Sequence, residues 1–440
     1  MIDGRHLLSE LQTLRGRLED DLRERSDVVP EVGGTLREEW QRARQRERTA
    51  QTYEAWHDDY LAQAAVMWIL GCVFVRFLED NGLIEPPRLA GPGDRLRLAR
   101  DQHTLYFQQH PLESDRDYLY FVFETVAALP AAASLFDRRH NPVWIAGISG
   151  DAATALIELW QRIDPATGAL VHDFTDTEWR TRFLGDLYQD LSESARKKYA
   201  LLQTPDFVLQ FILDRTLSPA IDEFGFREIR LIDPACGSGH FLLAAFERLF
   251  RFWSQQEPGR NVREVAQRAL DRVSGVDLNP FAVAIARFRL LLAALRESGI
   301  TKLTDAPAFT IDLAVGDSLL HGPRPGLEGA RQMYLDSDTD PVGHVYDTED
   351  AADLRRILGR RYHVVVGNPP YITPKDAALN KAYRERFESC HMKYSLAVPF
   401  MERLFDLAIE PKNGDTAPAG HVGMITANSF MKREFGRKLI

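Results

Sequence analysis

The stretch LIDPACGSGHFLL, residues 231–243, decides the fold. With the preceding EIR it reads as a short apolar strand over 228–233 that ends at Asp233. HFLLAAFERLFRFW (240–253) then carries helical periodicity. Between them Pro234-Ala235-Cys236-Gly237-Ser238-Gly239 has to turn tightly, and glycines let a backbone approach a ligand closely. The full dinucleotide fingerprint calls for a third glycine where Leu242 stands, which weakens a nicotinamide or flavin reading.

Strand-like and helical runs go on alternating beyond this point. RVSGVDL (272–278) precedes PFAVAIARFRLLLAAL (280–295), and GRNVREVAQRAL supplies an extra helix before it. FTIDLAVGD (309–317), YHVVVGN (362–368) and HVGMITAN (421–428) follow. This order predicts an α/β fold built on a parallel sheet. Asp233, Asp277 and Asp317 end three successive strands, and a doubly wound sheet binds ligands in the crevice at those ends. An acid after the second strand suits ribose hydroxyls. In VVVGNPPYI (364–372) two prolines lock the turn and remove two N–H donors. The Asn368 side chain, the carbonyls and the flat ring of Tyr371 then suit a planar amino group. Residues 322–350 read as a long surface loop or insertion.

Residues 1–180 read as a helical domain and 181–440 as a second, α/β domain. Leu7, Leu8, Leu11, Leu14 and Leu18 share one helical face over 5–25. Further helix is expected over 35–80, 113–130, 151–163 and 176–195, with Asn81-Gly82 stopping the second and EPPRLAGPGD (85–94) connecting onward. The longest apolar run, Ala64 to Val75, is 12 residues. A membrane span needs about 20, so this is expected to be a buried helix and no membrane partner is expected.

Lys plus Arg total 54 and Asp plus Glu 64, a formal charge of −10, which excludes a small basic DNA-binding module. A large nucleic-acid enzyme with a local basic face stays open. The 45 Arg against 9 Lys suit phosphate partners, although genomic base composition explains such a skew as well. Cys72, Cys236 and Cys390 form no CxxC pair, so neither a zinc ribbon nor a disulfide framework is supported, and a cytoplasmic location is expected. No Gly-Lys pair occurs, which excludes a P-loop ATPase.

DPACGSG, GVDLNP, GDS and NPPY, in that order, resemble the amino-methylating DNA methyltransferases that use S-adenosylmethionine. The TP of LLQTPDFV, placed before the glycine turn, resembles the gamma group, the adenine-N6 enzymes. That resemblance covers about residues 185–440. FVRFLEDNGLI (74–84) and the helical region resemble the large phage-defence methyltransferases of the type 2 BREX (phage-growth-limitation) kind, the PglX group. The resemblance implies a Rossmann-like methyltransferase sheet after a helical N-terminal domain. It implies that Thr204 and Pro205 border the methionine end of the cofactor, and that Asp233, Ala235, Gly237 and Gly239 shape its pocket. Asp277 would take the ribose hydroxyls and Asp317 the adenine amino group. Asn368, Pro369, Pro370 and Tyr371 would hold the target base amine, with Tyr371 stacking on a flipped base.

Such a reaction suits these residue types. Two acceptors, Asn368 and the Pro369 carbonyl, favour a pyramidal N6 whose lone pair points at the methyl; no metal and no covalent enzyme intermediate are needed. Double-stranded DNA is the expected partner, with other defence-system proteins as further candidates. The chain ends at NSFMKREFGRKLI, where the resemblance leads one to expect two more strands and a target-recognition domain, so a C-terminally truncated portion is expected. Ser395 stands where the family often has Asp, and Ala200 where it often has Gly. The alternatives are methylation of RNA or of a protein glutamine, and an inactive cofactor-binding scaffold.

Overall fold

The computed structural model describes residues 4–45, 49–138, 141–179, 181–191, 204–323, 349–374, 376–411 and 418–427. They divide into two compact units. Unit 1 comprises Met1–Trp40, Thr52–Ala195 and Leu291–Phe309; unit 2 comprises Gln41–Gln51, Arg196–Leu290 and Thr310–Ile440.

Unit 1 is helical. In α1 (Gly4–Val28) the leucines Leu7, Leu11, Leu14, Leu18 and Leu22 are buried, a stripe of helical spacing. The single helix expected over 35–80 is in fact two, α2 (Pro30–Gln45) and α3 (Tyr53–Asp80). Thr52, in extended conformation, caps α3 by accepting the Ala55 N–H, a local start signal that the apolar pattern hid. α3 is the one described helix long and apolar enough to cross a membrane, yet 89% of its most apolar stretch is buried inside the structure. It serves as the core of unit 1. Asn81 ends it, as the Asn-Gly pair indicates.

The FVRFLEDNGLI segment has a structural meaning here. Arg76 and Asp80, both fully buried, pair at 2.8 Å, and the guanidinium also reaches the carbonyls of Trp160 and His172. Glu79, also buried, accepts the backbone N–H groups of Arg88, Leu89 and Ala90. Burial pushes its carboxyl up to about 7, against the pull of those three donors. One helix turn thus organises the loop that follows it. α4 (Asp94–Gln109) escapes the sequence reading because it buries only Leu96, Ala99 and Tyr106. α5 (Asp115–Ala127), opened by a Ser114/Asp117 capping box, α6 (Gly150–Trp160) and α7 (Arg182–Leu191) match the remaining expected helices within a few residues, except that α7 starts later than expected.

Unit 2 opens with α8 (Asp206–Phe224) and then alternates: β1 (Leu231–Asp233), α9 (His240–Gln256), α10 (Val262–Leu270), β2 (Val273–Asp277), α11 (Pro280–Glu297), β3 (Asp312–Val315), α12 (Ala351–Leu358), β4 (Val364–Gly367), α13 (Ala377–Arg386), α14 (Ala397–Leu407) and β5 (His421–Met424). Within this series α11 runs beyond the unit at its C-terminal end. The strands lie in the order β3-β2-β1-β4-β5, and every pair is parallel. The chain winds outward from β1 through β2 to β3, then returns across to β4. The switch between β1 and β4 opens a crevice at the carboxyl ends.

Both faces of the sheet are covered, as a parallel sheet requires. Ile232, Val276, Ala314 and Val365 pack with Leu354, Ile357, Tyr383, Val398 and Leu404 from α12, α13 and α14. Alternation turns the neighbouring positions to the other face. There a Cβ on Gly275 would lie 2.6 Å from the Leu242 side chain of α9 and 2.8 Å from that of Leu313, so any larger residue forces these side chains to shift. The strands expected from sequence are all present, each a few residues shorter than read. Most of the expected 322–350 insertion lies outside the described residues, and so does Ala200.

Candidate active site

The turn after β1 is set by its glycines. Gly237 (φ 53°) and Gly239 (φ 81°) occupy the left-handed region. Gly239 is needed twice over, since a Cβ there would lie 2.9 Å from Ala286 of α11. A Cβ at Gly237 would meet no protein atom within 4 Å, so that glycine answers to conformation alone. The turn is sewn to its neighbours: Cys236 N–H donates to Val276 O at 3.0 Å, and buried Arg289 donates to Ser238 O at 2.7 Å.

Asp233 and Asp277 face each other across this turn. Asp233 Oδ1 accepts the Ala235 N–H at 3.0 Å, while Asp277 accepts Gly237 N–H on one oxygen and Asn279 N–H on the other, each at 2.8 Å. Burial raises Asp233 to about 8, the charge of Asp277 adding to it. Burial likewise raises Asp277 to about 6, against its two N–H donors. Asp233 is 2% exposed, whereas Asp277 is partly exposed.

The third acid is more enclosed. Asp317 is 4% exposed, with Leu319 N–H on Oδ1 at 2.9 Å and the Tyr383 hydroxyl on Oδ2 at 2.5 Å. Its own N–H donates to Glu349 Oε1 at 2.9 Å, and Glu349 pairs with His321 at 2.9 Å. Ser318 donates to Pro234 O at 2.6 Å, tying this loop to the glycine turn. Fully buried Arg403 of α14 then donates to the carbonyls of Ser318, His321 and Pro323.

At the end of β4, Asn368 Nδ2 donates to Thr204 Oγ1 at 3.2 Å, and the Tyr371 hydroxyl donates to Asn368 Oδ1 at 2.8 Å. The Tyr371 ring, which the sequence leads one to expect exposed, is half-buried, with its hydroxyl bonded to Asn368. Burial pushes that hydroxyl up to about 12, so it stays a donor. Pro369 is buried and Pro370 partly so. A Cβ on Gly367 would lie 3.4 Å from Asp233 Oδ1, which sets β4's end directly beside β1's. Pro205 is exposed and caps α8, its carbonyl accepting from Val208 and Leu209.

The structure brings many of the sequence-derived residues together: hydrogen bonds join Thr204 to Asn368, Asp233 to Ala235, Gly237 to Asp277 and Pro234 to Ser318 of the Asp317 loop, and β4 pairs beside β1, whereas Pro205 is exposed. Sequence reasoning missed Tyr383, Glu349, Arg289 and Arg403. Arg403 did leave a signal, as a charge on the helical stripe that Phe400, Leu404 and Leu407 define. Glu349 left none, since it follows a long polar segment.

The Eco57I restriction-modification methylase family matches residues 271–440. The adenine-specific methyltransferase PglX of Streptomyces coelicolor is 49% identical over 100% of this chain and 37% of its own length. The type II methyltransferase M.PaeR7I of Pseudomonas aeruginosa is 26% identical over 53% of this chain and 32% of its own length. The structure of a DrdV–DNA complex aligns over 98% of this chain and 36% of that one, with a TM-score of 0.53 at 14% identity, a likeness of fold. The chain spans little more than a third of the length of PglX. With motifs at each strand end and identity running along its whole length, the chain belongs to the adenine-specific methyltransferase family that includes PglX.

Proposed function

We propose that this chain binds S-adenosylmethionine and directs its methyl group to the N6 of an adenine flipped out of double-stranded DNA, in a phage-defence or restriction-modification setting. The observation that carries this reading is that β4, which runs into Asn368, pairs with β1 and ends beside Asp233. PglX is named for adenine-specific methylation, and DrdV was solved on DNA; both support the substrate class. Residues 1–180 would form a helical domain and 181–440 the methyltransferase domain. Other defence proteins are candidate partners.

The site fits the cofactor. Asp277 is partly exposed and, with one N–H on each oxygen, keeps lone pairs for two ribose hydroxyls. Gly237 carries no side chain where the turn meets it, and Gly239 and Ala235 complete the wall. Thr204 and Pro205 would border the methionine end, and Asp233 would hold the turn beneath. Asp317 would meet the adenine amino group with its remaining lone pairs, its rotamer fixed by Tyr383. When bound, S-adenosylmethionine supplies an electrophilic methyl carried on a sulfonium.

The chain's own residues do the rest by orientation. Asn368 Oδ1, which accepts from the Tyr371 hydroxyl, would also accept a base N–H. The Pro369 carbonyl would take the second N–H, and Pro370 would fix the turn. These acceptors localise the nitrogen lone pair and stabilise charge as it develops there. The Tyr371 ring would stack on the base.

The test is mass spectrometry of nucleosides from unmethylated DNA incubated with the chain and S-adenosylmethionine. N6-methyladenine is expected, reduced at least 100-fold in Asn368→Ala, while cofactor affinity stays within about threefold. Methyl transfer confined to RNA or to protein glutamine would overturn the substrate class, and full activity in Asn368→Ala would overturn the role of that residue.

A further inference from the structure

Met392 stands out in unit 2 for its backbone. It has φ 53°, in the left-handed region, where a non-glycine residue is strained. It is 52% exposed at the tip of a turn, between the exposed His391 and Lys393. A strained, exposed, apolar side chain persists only where its surroundings hold it.

They do hold it here. Cys390 and Tyr394, on either side of the tip, are buried at 5% and 0% exposure. Arg384 of α13 donates to the carbonyls of Cys390 and Met392, its guanidinium lying 5.1 Å over the Tyr394 ring. Ser389 N–H donates to Glu402 of α14 at 2.9 Å. The tip is thus rigid, with one apolar side chain projecting between two basic ones.

Its position gives it a use. Leu396 N–H donates to Ile372 O at 2.8 Å, and Ile372 directly follows Tyr371. From Leu396 back to Met392 the chain can reach at most about 14 Å. The tip therefore lies within about 14 Å of Leu396, which is bonded to the segment leading out of the base-amine site.

We propose that the His391–Lys393 tip is a duplex-opening wedge: Met392 enters the base stack beside the target adenine, and His391 and Lys393 grip the flanking phosphates. This rests on the DNA-methylating reading above. Unbranched apolar side chains that unstack duplex steps act in this way, and phosphate contacts fix their register. The wedge lowers the cost of extrusion, so it matters only where the adenine is stacked and paired.

The experiment compares methyl transfer into native and heat-denatured unmethylated genomic DNA, using labelled S-adenosylmethionine. Met392→Gly removes the side chain and relieves the strained φ, so its thermal midpoint should equal or exceed that of the wild type. Transfer into native DNA should fall on the order of tenfold, a loss of the size that unstacking costs allow, with transfer into denatured DNA unchanged. Lys393→Gln should flatten the salt dependence of duplex binding by about one phosphate contact. Undiminished transfer into native DNA by Met392→Gly overturns the wedge and leaves the methyltransferase reading standing. Equal loss on both DNA forms also overturns it, as a structural defect. A wild-type chain that methylates neither form overturns the reading on which the wedge rests, and the wedge with it.

Discussion

An amide at Asn368 can accept a base N–H only while its oxygen faces the site, and two neighbours settle which way it faces. Thr204 takes the Nδ2 proton and Tyr371 gives a proton to Oδ1. Asn368, Tyr371 and Thr204 are all legible as motif residues, but the hydrogen bonds by which Thr204 and Tyr371 orient the amide are not, since one of them spans 164 residues. The acids differ in the same manner. Asp277 was read as a ribose contact and is partly exposed; Asp233 was read beside it and lies underneath.

Burial raises Asp277 to about 6, which fixes the sign of a pH effect. Between about 4 and 6 the folded chain holds a proton there that the unfolded chain releases, so stability without cofactor falls as pH rises through this window. A ribose hydroxyl needs the ionised form, so cofactor affinity should do the opposite and rise toward a plateau above pH 6. The thermal shift produced by S-adenosylmethionine should thus be small at pH 5 and full at pH 7.5. Asp277→Asn cannot ionise, and its smaller shift should be flat across that range. A wild-type shift independent of pH would remove Asp277 from the ribose site.

At the scale of elements, the strands and the glycine turn were readable because their signals are local: a β-branched run, a glycine pair, an acid at the end. The break between α2 and α3 was not, because one capping threonine competes with a long apolar pattern. α8 and α13 passed unread, as did the stapling of loops by α14. Arg403 shows what that stapling is for. A fully buried guanidinium that gives its protons to three carbonyls of the Asp317 loop holds the loop more than it holds α14. Charged hydrogen bonds of this kind contribute roughly 1.5–3 kcal/mol each, although not additively. Arg403→Met should therefore destabilise unit 2 by about 3 kcal/mol in a denaturant titration. It should also weaken S-adenosylmethionine binding through Asp317, with Arg403→Lys recovering part of both. Unchanged stability and affinity in Arg403→Met would show that the loop holds itself.

At the scale of the molecule, the formal charge is −10, so the proposed DNA contact would rest on local basic features such as the His391–Lys393 tip rather than on net charge. The order β3-β2-β1-β4-β5 puts four sequence-distant motifs at one sheet edge. That convergence was legible, because strand–helix alternation dictates it. The grouping of Leu291–Phe309 with the N-terminal helices was not, because the division falls inside the uninterrupted helical pattern of α11. The chain corresponds to little more than a third of the length of PglX, so the claim that bears most weight is that this stretch itself forms the cofactor site.

The most direct test is calorimetric titration of S-adenosylmethionine into the 440-residue chain, with Asp277→Ala alongside and folding of both checked by circular dichroism. The account requires one-to-one binding by the wild type and a loss of at least tenfold in affinity in the variant. A folded wild-type chain that binds nothing, or a variant that binds as tightly, would contradict it.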